Sequence, residues 1–254
     1  MQQTVTIRGR KLGGGKPWVI VPIVETSAEA ILAKAQEIAG YDVDMVEWRA
    51  DFFEDVFDLA AVNATLEQVN RALGKIPLLF TFRTANEGGS KRIEPEAYAA
   101  LNGAAAQSGY ADAVDLEIMA GDALAERIIA DAHEKGALVV ASNHDFHKTP
   151  GKEEIVRRLQ KMQAMHADVL KIAVMPQSMT DVLTLMTAVN EMATVYAQKP
   201  IIAMSMSGMG VVSRVAGEAF GSAMTFGAIG STSAPGQIPV GELKTVLDIV
   251  HRSM

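Results

Sequence analysis

A short apolar run holds one lysine near its centre, in the sequence Asp168-Val169-Leu170-Lys171-Ile172-Ala173-Val174-Met175-Pro176. The branched residues, the length of the run and the closing proline are typical of a fully buried strand in a parallel sheet. Because side chains alternate along a strand, Lys171 shares a face with Val169 and the small Ala173. We therefore predict that the lysine points into a space inside the fold.

The predicted burial of this lysine has a chemical consequence. A buried ammonium is costly unless it is paired or neutralised, and burial in general lowers the pKa of a lysine. A lysine with a pKa near ~7–8 is roughly 10–50% neutral at pH 7, and such an amine forms Schiff bases with carbonyl substrates. A structural ion pair, or a lysine that reaches solvent from a strand end, is the alternative interpretation.

Strand-like apolar runs alternate with segments of helical periodicity from Trp18 onward, and eight such pairs can be counted. Strict alternation predicts a parallel sheet with right-handed crossovers. The 254 residues match the length of a (β/α)8 barrel, and the chain shows no linker or break in composition. We predict an α/β fold, a (β/α)8 TIM barrel that forms one domain over residues 1–254. A doubly wound open sheet is the alternative.

The first residues precede this repeat. Thr4–Arg8 alternates like a strand, and three glycines at Gly13–Gly15 follow it, so we predict a short N-terminal β-hairpin. The predicted barrel strands are Trp18–Val24, Asp44–Arg49, Leu78–Arg83, Ala113–Glu117, Leu138–Asn143, Val169–Val174, Ile201–Ser205 and Met224–Ala228.

Composition places the chain among ordinary globular proteins. Hydrophobic residues make up 49% and charged residues 21%, the net charge is -7, and there is no cysteine. The negative charge argues against nucleic acid and anionic membranes as partners, and the lack of cysteine excludes disulfides and thiolate metal sites. Without a signal peptide or an apolar run of ~18 residues, the sequence predicts a cytoplasmic protein.

Charged residues collect at the carboxyl ends of the predicted strands, where barrels of this kind place their chemistry. For each residue alone, a solvated loop charge is the alternative. Together they predict one polar mouth with a local excess of cations that suits a carboxylate substrate. The residues are Glu47, Arg49, Arg83, Asp115, Glu117, His144, Lys171 and Arg214.

Glu47 and Arg49 stand two residues apart in a strand and so lie on one face. Such a pair can hold a substrate diol, with the carboxylate accepting and the guanidinium donating, and Arg83 is expected on the adjacent strand. An internal salt bridge between Glu47 and Arg49 is the alternative. Glu87, just beyond the third strand, is a candidate to orient a catalytic base, or it is a surface charge of the loop.

His144 follows the fifth predicted strand and lies beside the strand of Lys171. An imidazole with a pKa near neutral can take a proton from a carbon made acidic by an iminium. A loop histidine that bonds backbone is the plainer interpretation. A metal site of His144, Asp145 and His147 is a weak hypothesis, because the spacing is not that of a helical zinc motif.

Two later segments carry polar groups suited to an anionic ligand. Ser213-Arg214 is predicted to begin a helix, where backbone donors favour an anion and Arg214 adds a bidentate contact to a carboxylate or phosphate. Residues 230–237 follow the eighth strand and have the composition of a lid whose Ser233 and Gln237 bond a polar substrate. An ordinary loop is the alternative for this segment.

Six motifs follow one another along the chain: Glu47-Trp48-Arg49, Phe80-Thr81-Phe82-Arg83, Ser142-Asn143-His144-Asp145-Phe146-His147, Lys171-Ile172-Ala173-Val174-Met175-Pro176, Ser213-Arg214 and Ser233-Ala234-Pro235-Gly236-Gln237. In this order they resemble the type I 3-dehydroquinate dehydratases, the Schiff-base enzymes of the shikimate pathway, over essentially the whole chain. The resemblance implies a (β/α)8 barrel, usually a homodimer, with no metal and no organic cofactor.

The resemblance also implies roles for the candidate residues. Lys171 forms an imine with the C3 ketone of 3-dehydroquinate. His144, oriented by Glu87, removes a C2 proton and returns a proton to the departing C1 hydroxyl in a syn elimination to 3-dehydroshikimate. By the same resemblance, Glu47, Arg49 and Arg83 contact the ring hydroxyls of the substrate, and Arg214 contacts its carboxylate. Ser233 and Gln237 close over the ligand. A class I aldolase-like Schiff-base lyase is the alternative function, and a non-catalytic carboxylate-binding barrel is a third.

Overall fold

A computed structural model of the protein describes residues 4–230 and 236–254. Two short strands form an antiparallel hairpin, and nine strands form one curled parallel sheet. The strands are β1 Val5–Ile7, β2 Arg10–Leu12, β3 Trp18–Ile23, β4 Met45–Arg49, β5 Leu78–Thr81, β6 Ala113–Glu117, β7 Leu138–Asp145, β8 Val169–Val174, β9 Ile201–Ser205, β10 Met224–Ala228 and β11 Ile238–Pro239.

Helices follow the strands of the curled sheet and cover its outer face. Ser27 and Ser178 cap two of these helices with their side chains, and the Ser178 cap is a full capping box with Asp181. Among the described residues, none of the helices is both long and apolar enough to cross a bilayer. The helices are α1 Ala28–Ile38, α2 Leu59–Leu73, α3 Pro95–Gln107, α4 Asp122–Glu134, α5 Lys152–Ala164, α6 Met179–Glu191, α7 Val211–Val215, α8 Gly217–Phe220 and α9 Val240–Arg252.

The strand order confirms the predicted barrel. From β3 to β9 each strand pairs in parallel with the next in the chain, and β10 returns to pair with β3. A doubly wound sheet would instead reverse its strand order part-way. The predicted N-terminal hairpin is also present, as β1 and β2. Strand-to-strand connections through helices therefore build a ring, as the alternation of the sequence indicates.

The ring closes between β9 and β10 without a regular ladder. Ile201 and Ser222 form an isolated parallel bridge, and the backbone N–H of Ala223 donates to the carbonyl of Ile201 at 2.7 Å. The side chain of Ser222 adds to this contact, because its Oγ accepts from the backbone N–H of Ala203 at 3.0 Å. We call this contact the seam of the barrel.

The hairpin lies at the amino-terminal end of the barrel interior. Ile7 and Leu12 are buried in one apolar cluster with Ile20 of β3, Leu79 of β5 and Val169 of β8. These strand residues stand near the beginnings of their strands and face inward. The apolar floor leaves the opposite, carboxyl-terminal end of the barrel for the polar residues.

Two strand ends differ from the sequence prediction. β5 ends at Thr81, so Arg83 lies just beyond the strand rather than at its last position. β7 continues through Asp145, because its last residues pair with the end of β8. His144 is therefore held by a regular ladder and does not stand in a loop after the strand.

The seam generates a stability prediction. Replacing the buried Ser222 with alanine removes the acceptor of the Ala203 N–H, and leaving such a group unsatisfied costs about 1–3 kcal/mol. The Ser222→Ala variant should lose that much free energy of unfolding in a urea titration followed by circular dichroism. The control is Ser253→Ala at the exposed C-terminus, which should change it by less than about 0.5 kcal/mol. Equal stability of Ser222→Ala and the wild type would mean that the seam does not depend on this hydroxyl.

Candidate active site

A cavity that is open to solvent lies among the carboxyl ends of the strands. It brings together the predicted catalytic and substrate-binding residues except Ser233, which lies outside the described residues, while Asp115 and Glu117 of the predicted mouth are not part of its lining. Met204, Met206 and Phe226 give it apolar walls. The predicted residues in its lining are Glu47, Arg49, Arg83, Glu87, His144, Lys171, Arg214 and Gln237.

Lys171 lies on β8 with only 3% of its surface exposed. Its Nζ is 3.2 Å from Oε1 of Glu47 and 3.3 Å from Oδ2 of Asp115, and it stands 4.9 Å from the ring centroid of Phe226. The two carboxylates offset the cost of burying the ammonium. The lysine is thus buried as predicted, and the ion pairs that stabilise its charge hold it in the lining of the cavity.

Arg83 lies beside this lysine and binds the two carboxylates of β6. Its Nη2 donates to Asp115 at 2.7 Å, and its Nη1 donates to Glu117 at 3.1 Å and to the hydroxyl of Ser142 at 2.9 Å. Burial acts to lower the pKa of Arg83, but the surrounding carboxylates, Asp115 first, raise it above its ordinary value. We call Glu47, Arg83, Asp115, Glu117 and Lys171 the charged cluster.

Asp115 is the member of the charged cluster that joins its two cations. It is fully buried, and its Oδ1 accepts from both Arg83 and Ser142 at 2.7 Å while Oδ2 faces Lys171. Burial alone raises the pKa of Asp115, but Arg83 and then Lys171 hold it below its ordinary value. The sequence placed Asp115 at the mouth without a role. Its inward position on the strand next to Arg83 was the available signal.

Glu87 binds His144 through two contacts to one oxygen. Oε2 of Glu87 lies 3.0 Å from Nδ1 of His144 and accepts the backbone N–H of His144 at 2.9 Å. Its Oε1 accepts from the side chain of Asn143 at 3.1 Å. Since Nδ1 faces Glu87, Nε2 is the imidazole nitrogen that remains for a ligand in the cavity. We call Glu87 and His144 the dyad.

The surroundings shift both members of the dyad. Burial raises the pKa of Glu87 to about 7, even though Arg83 acts in the opposite direction. Burial also lowers the pKa of His144 well below its ordinary value, and the positive charges of Arg83, Lys171 and Arg49 add to this effect. The sequence-based expectation of an imidazole pKa near neutral is therefore wrong in value. The imidazole is neutral at pH 7 and able to accept a proton.

Arg49 pairs with a different carboxylate from the one that the sequence suggested. Its guanidinium makes a bidentate contact with Asp51, at 2.7 and 2.9 Å, while Glu47 accepts from Lys171 and from the hydroxyl of Thr81. The proposed salt bridge between Glu47 and Arg49 is thus absent among the described residues. Burial raises the pKa of Asp51, but its contacts with Arg49 bring it below the ordinary value. Asp51 follows β4 in a 3-10 turn, where strand alternation no longer predicts direction.

Arg214 lies at the end of α7 and not at its beginning. The helix starts at Val211, and the Oγ of Ser213 donates to the carbonyl of Gly210 at 2.7 Å while it accepts from the backbone N–H of Ser205 at 2.9 Å. The expected helix start at Ser213 is therefore wrong. Burial lowers the pKa of Arg214 to about 10, so its guanidinium is charged at neutral pH and reaches the cavity lining.

His144, Asp145 and His147 do not form a set of metal ligands in the described part of the chain. Oδ1 of Asp145 accepts the backbone N–H groups of His147 and Lys148, each at 3.0 Å, and His147 is exposed. The ranges 4–230 and 236–254 contain no group of three or more histidine, cysteine or acidic residues placed to hold a metal ion. Asp145 instead stabilises the turn that follows β7.

Comparison with known proteins identifies the family of this chain. A sequence model described as type I 3-dehydroquinase matches residues 19–254. The chain belongs to the type I 3-dehydroquinase family. The resemblance seen in the six sequence motifs is thereby confirmed.

Members of the type I 3-dehydroquinase family match over their full length. The 3-dehydroquinate dehydratase of Clostridioides difficile (strain 630) is 47% identical over 254 residues, which are 100% of both chains. That of Shigella sonnei (strain Ss046) is 49% identical over 251 residues, covering 99% of this chain and 100% of the relative.

Solved structures of the family agree with the barrel. A type I 3-dehydroquinate dehydratase from Clostridium difficile, solved with covalently modified comenic acid, has a TM-score of 0.97 at 47% identity and 100% coverage of both chains. The 3-dehydroquinate dehydratase from Geobacillus kaustophilus HTA426 has a TM-score of 0.96 at 36% identity, with 99% of each chain covered.

The raised pKa of Glu87 predicts a pH-dependent effect on stability. Because this pKa rises from 4.5 to about 7 on folding, the folded state holds the proton more tightly. The stabilisation is complete below about pH 4.5 and is lost as pH rises through about 7. Relative to Glu87→Gln, the free energy of unfolding of the wild type should fall by on the order of 3 kcal/mol between these two pH values. Urea unfolding of both proteins at several pH values measures the difference.

The control for this experiment is Glu134→Gln, whose side chain is 71% exposed. Its free energy of unfolding should follow that of the wild type across the same pH range. If the difference between the wild type and Glu87→Gln does not change with pH, Glu87 is ionised normally in the folded protein.

Proposed function

We propose that this chain dehydrates 3-dehydroquinate to 3-dehydroshikimate, a step of the shikimate pathway, by syn elimination through a Schiff base on Lys171. The observation that carries the proposal is the presence of a buried primary amine and a neutral imidazole in the lining of one cavity. Membership of the type I 3-dehydroquinase family supports the choice of substrate and reaction.

The first half of the reaction makes the imine. The Lys171 ammonium gives up a proton to the neutral His144, and the resulting amine adds to the C3 ketone to form a carbinolamine. The carbinolamine hydroxyl then leaves as water with a proton from the protonated His144, and the nitrogen becomes a positively charged iminium. The covalently modified comenic acid in the Clostridium difficile relative supports covalent chemistry in this family.

The second half eliminates water. The iminium withdraws electrons from C2, which makes its proton acidic enough for a neutral imidazole to remove. Nδ1 of His144 faces Glu87, so Nε2 accepts this proton. The C1 hydroxyl leaves as water with the same proton, and hydrolysis of the product iminium by a second water releases the ketone product and restores the Lys171 ammonium. No proton is gained or lost by the dyad over the cycle.

Cationic side chains around the cavity favour the binding of a negatively charged substrate. Arg214 is buried, charged and placed in the lining, and we assign to it the substrate carboxylate. Glu47 and Arg49 would hold ring hydroxyls. Arg83 already donates from both terminal nitrogens to protein groups, so its contribution to the ligand is mainly its charge. Gln237 would bond the ligand from the segment before β11, together with Ser233.

The remaining parts of the proposal rest on composition and family resemblance. We place the enzyme in the cytoplasm as a homodimer of single-domain subunits that needs no metal or organic cofactor. Its only proposed partners are the small carboxylate substrate and a second copy of the chain, and neither nucleic acid nor membrane is among them.

The Schiff base predicts the behaviour of Lys171→Met. Turnover of 3-dehydroquinate, followed by the absorbance of the conjugated enone, should fall by ~10³-fold or more, and borohydride with product should leave no adduct. Because Glu47 and Asp115 lose their partner, this variant should also be less stable by about 3–5 kcal/mol. Circular dichroism verifies folding, and Lys161→Met on the surface of α5 is the matched control. Substantial turnover by folded Lys171→Met would exclude the amine as nucleophile.

The proposed role of His144 predicts a separation of rate from affinity. His144→Gln should lower kcat by about 10²–10⁴-fold, while KM changes little, because the imidazole acts on protons and does not anchor the ligand. Steady-state kinetics measures both constants, with His251→Gln at the exposed end of α9 as the control. A large rise in KM with kcat preserved would assign His144 to binding instead.

A further inference from the structure

Asp115 touches the nitrogen on which the proposed chemistry takes place, yet neither the sequence nor the family resemblance gave it a role. Its Oδ2 lies 3.3 Å from Nζ of Lys171. Its other oxygen is fixed by Arg83 and Ser142, each at 2.7 Å, so the carboxylate cannot turn away without breaking two hydrogen bonds. One carboxylate oxygen is therefore held permanently towards the lysine nitrogen.

Glu47 is the other carboxylate on this nitrogen, but its surroundings differ. Glu47 lines the cavity, whereas Asp115 is fully buried behind the lining formed by the described residues. A substrate hydroxyl that enters the cavity competes with Lys171 for Glu47. It has no such access to Asp115, so Asp115 is the partner that stays on the nitrogen while a ligand is bound.

The charged cluster holds three carboxylates and two cations, so it has a formal excess of one negative charge. Loss of the charge on the lysine nitrogen would leave two uncompensated negative charges in a buried site, which is unfavourable. An iminium carries the same single positive charge as the ammonium that it replaces. The cluster is thus already arranged for the iminium before the substrate arrives.

We propose that Asp115 is the counter-ion of the Lys171 iminium, a catalytic residue that keeps the imine protonated. This inference rests on the proposed Schiff base. Removal of the C2 proton moves the positive charge from the nitrogen to the imidazole, and departure of the C1 hydroxyl returns it to the nitrogen. Asp115 therefore favours dehydration of the neutral carbinolamine and the departure of the C1 hydroxyl, the two events that place positive charge on Nζ.

Other charged groups also surround this nitrogen, and the test must separate them from Asp115. Glu117 offers a matched comparison, because it is equally buried and binds the same Arg83, but its contacts are with Arg83 and Thr84 and not with Lys171. The titratable or charged groups that face the lysine and its partners, or line the same cavity, are Glu47, Arg49, Arg83, Glu87, Tyr98, Asp115, Glu117, His144 and Arg214.

The experiment incubates the wild type, Asp115→Asn and Glu117→Gln with 3-dehydroshikimate and sodium cyanoborohydride over a series of pH values. The reagent reduces the protonated imine in preference to the neutral one, and mass spectrometry quantifies the adduct on the Lys171 peptide. For Asp115→Asn, the midpoint of adduct yield against pH should move down by about one unit, equivalent to about tenfold less adduct at the alkaline side. Glu117→Gln should keep the wild-type midpoint.

The outcomes distinguish this inference from the proposed function. Equal shifts in Asp115→Asn and Glu117→Gln, or no shift in Asp115→Asn, would overturn the counter-ion role, because the effect would then act through Arg83 or not exist. A wild type without adduct at any pH would instead overturn the Schiff base itself.

A measurement on the wild type alone covers the case in which Asp115→Asn does not fold. The C=N stretching frequency of the imine formed with 3-dehydroshikimate shifts in D2O only when the nitrogen carries an exchangeable proton. The shift should persist from about pH 6 to about pH 9 if a fixed carboxylate neighbours the iminium. Loss of the shift below about pH 7 would overturn the proposal.

Discussion

The ion pairs that Lys171 makes with Glu47 and Asp115 are the constraint on which the rest of the site depends. They join β8 to β4 and β6 across the interior of the barrel. A primary amine can lie in this apolar enclosure only because carboxylates of other strands meet it there. The same buried charges position Arg83, which binds Asp115, and they add to the effect of burial in keeping the imidazole of His144 neutral.

The buried charges give neighbouring groups different protonation states. Burial, with the positive charges of Arg83, Lys171 and Arg49 added to it, keeps His144 neutral, and burial also lets Glu87 hold a proton near neutral pH. Asp115 stays ionised beside them because two cations contact it. A neutral base and a charged lysine thus line one cavity, and an ionised carboxylate that contacts the lysine is buried directly behind it.

The fold and the meeting of the strand-end residues at one cavity could be predicted because both depend on periodicity, whereas Glu87 and Gln237, which lie outside the barrel strands β3–β10, were assigned to the site by the family resemblance. Strand and helix alternation defines a barrel, and the residues at strand ends must meet at one mouth. The individual pairings could not be predicted, since they depend on strand stagger and on side-chain reach across the interior. Arg49 binds Asp51 beyond the strand end, and Arg83 reaches two acids of β6, contacts that alternation along one strand cannot reveal. The early start of α7, which places Arg214 at the helix end, likewise has no periodic signal in so short a segment.

The seam of the barrel has an evolutionary consequence. Ladders between neighbouring strands are made by main-chain atoms, so most substitutions leave them in place. The contact between β9 and β10 relies in addition on the hydroxyl of Ser222. Closure of the ring therefore depends partly on the identity of one residue. During evolution a substitution of Ser222 affects the closure of the whole barrel, whereas a substitution at a ladder position leaves the main-chain hydrogen bonds in place.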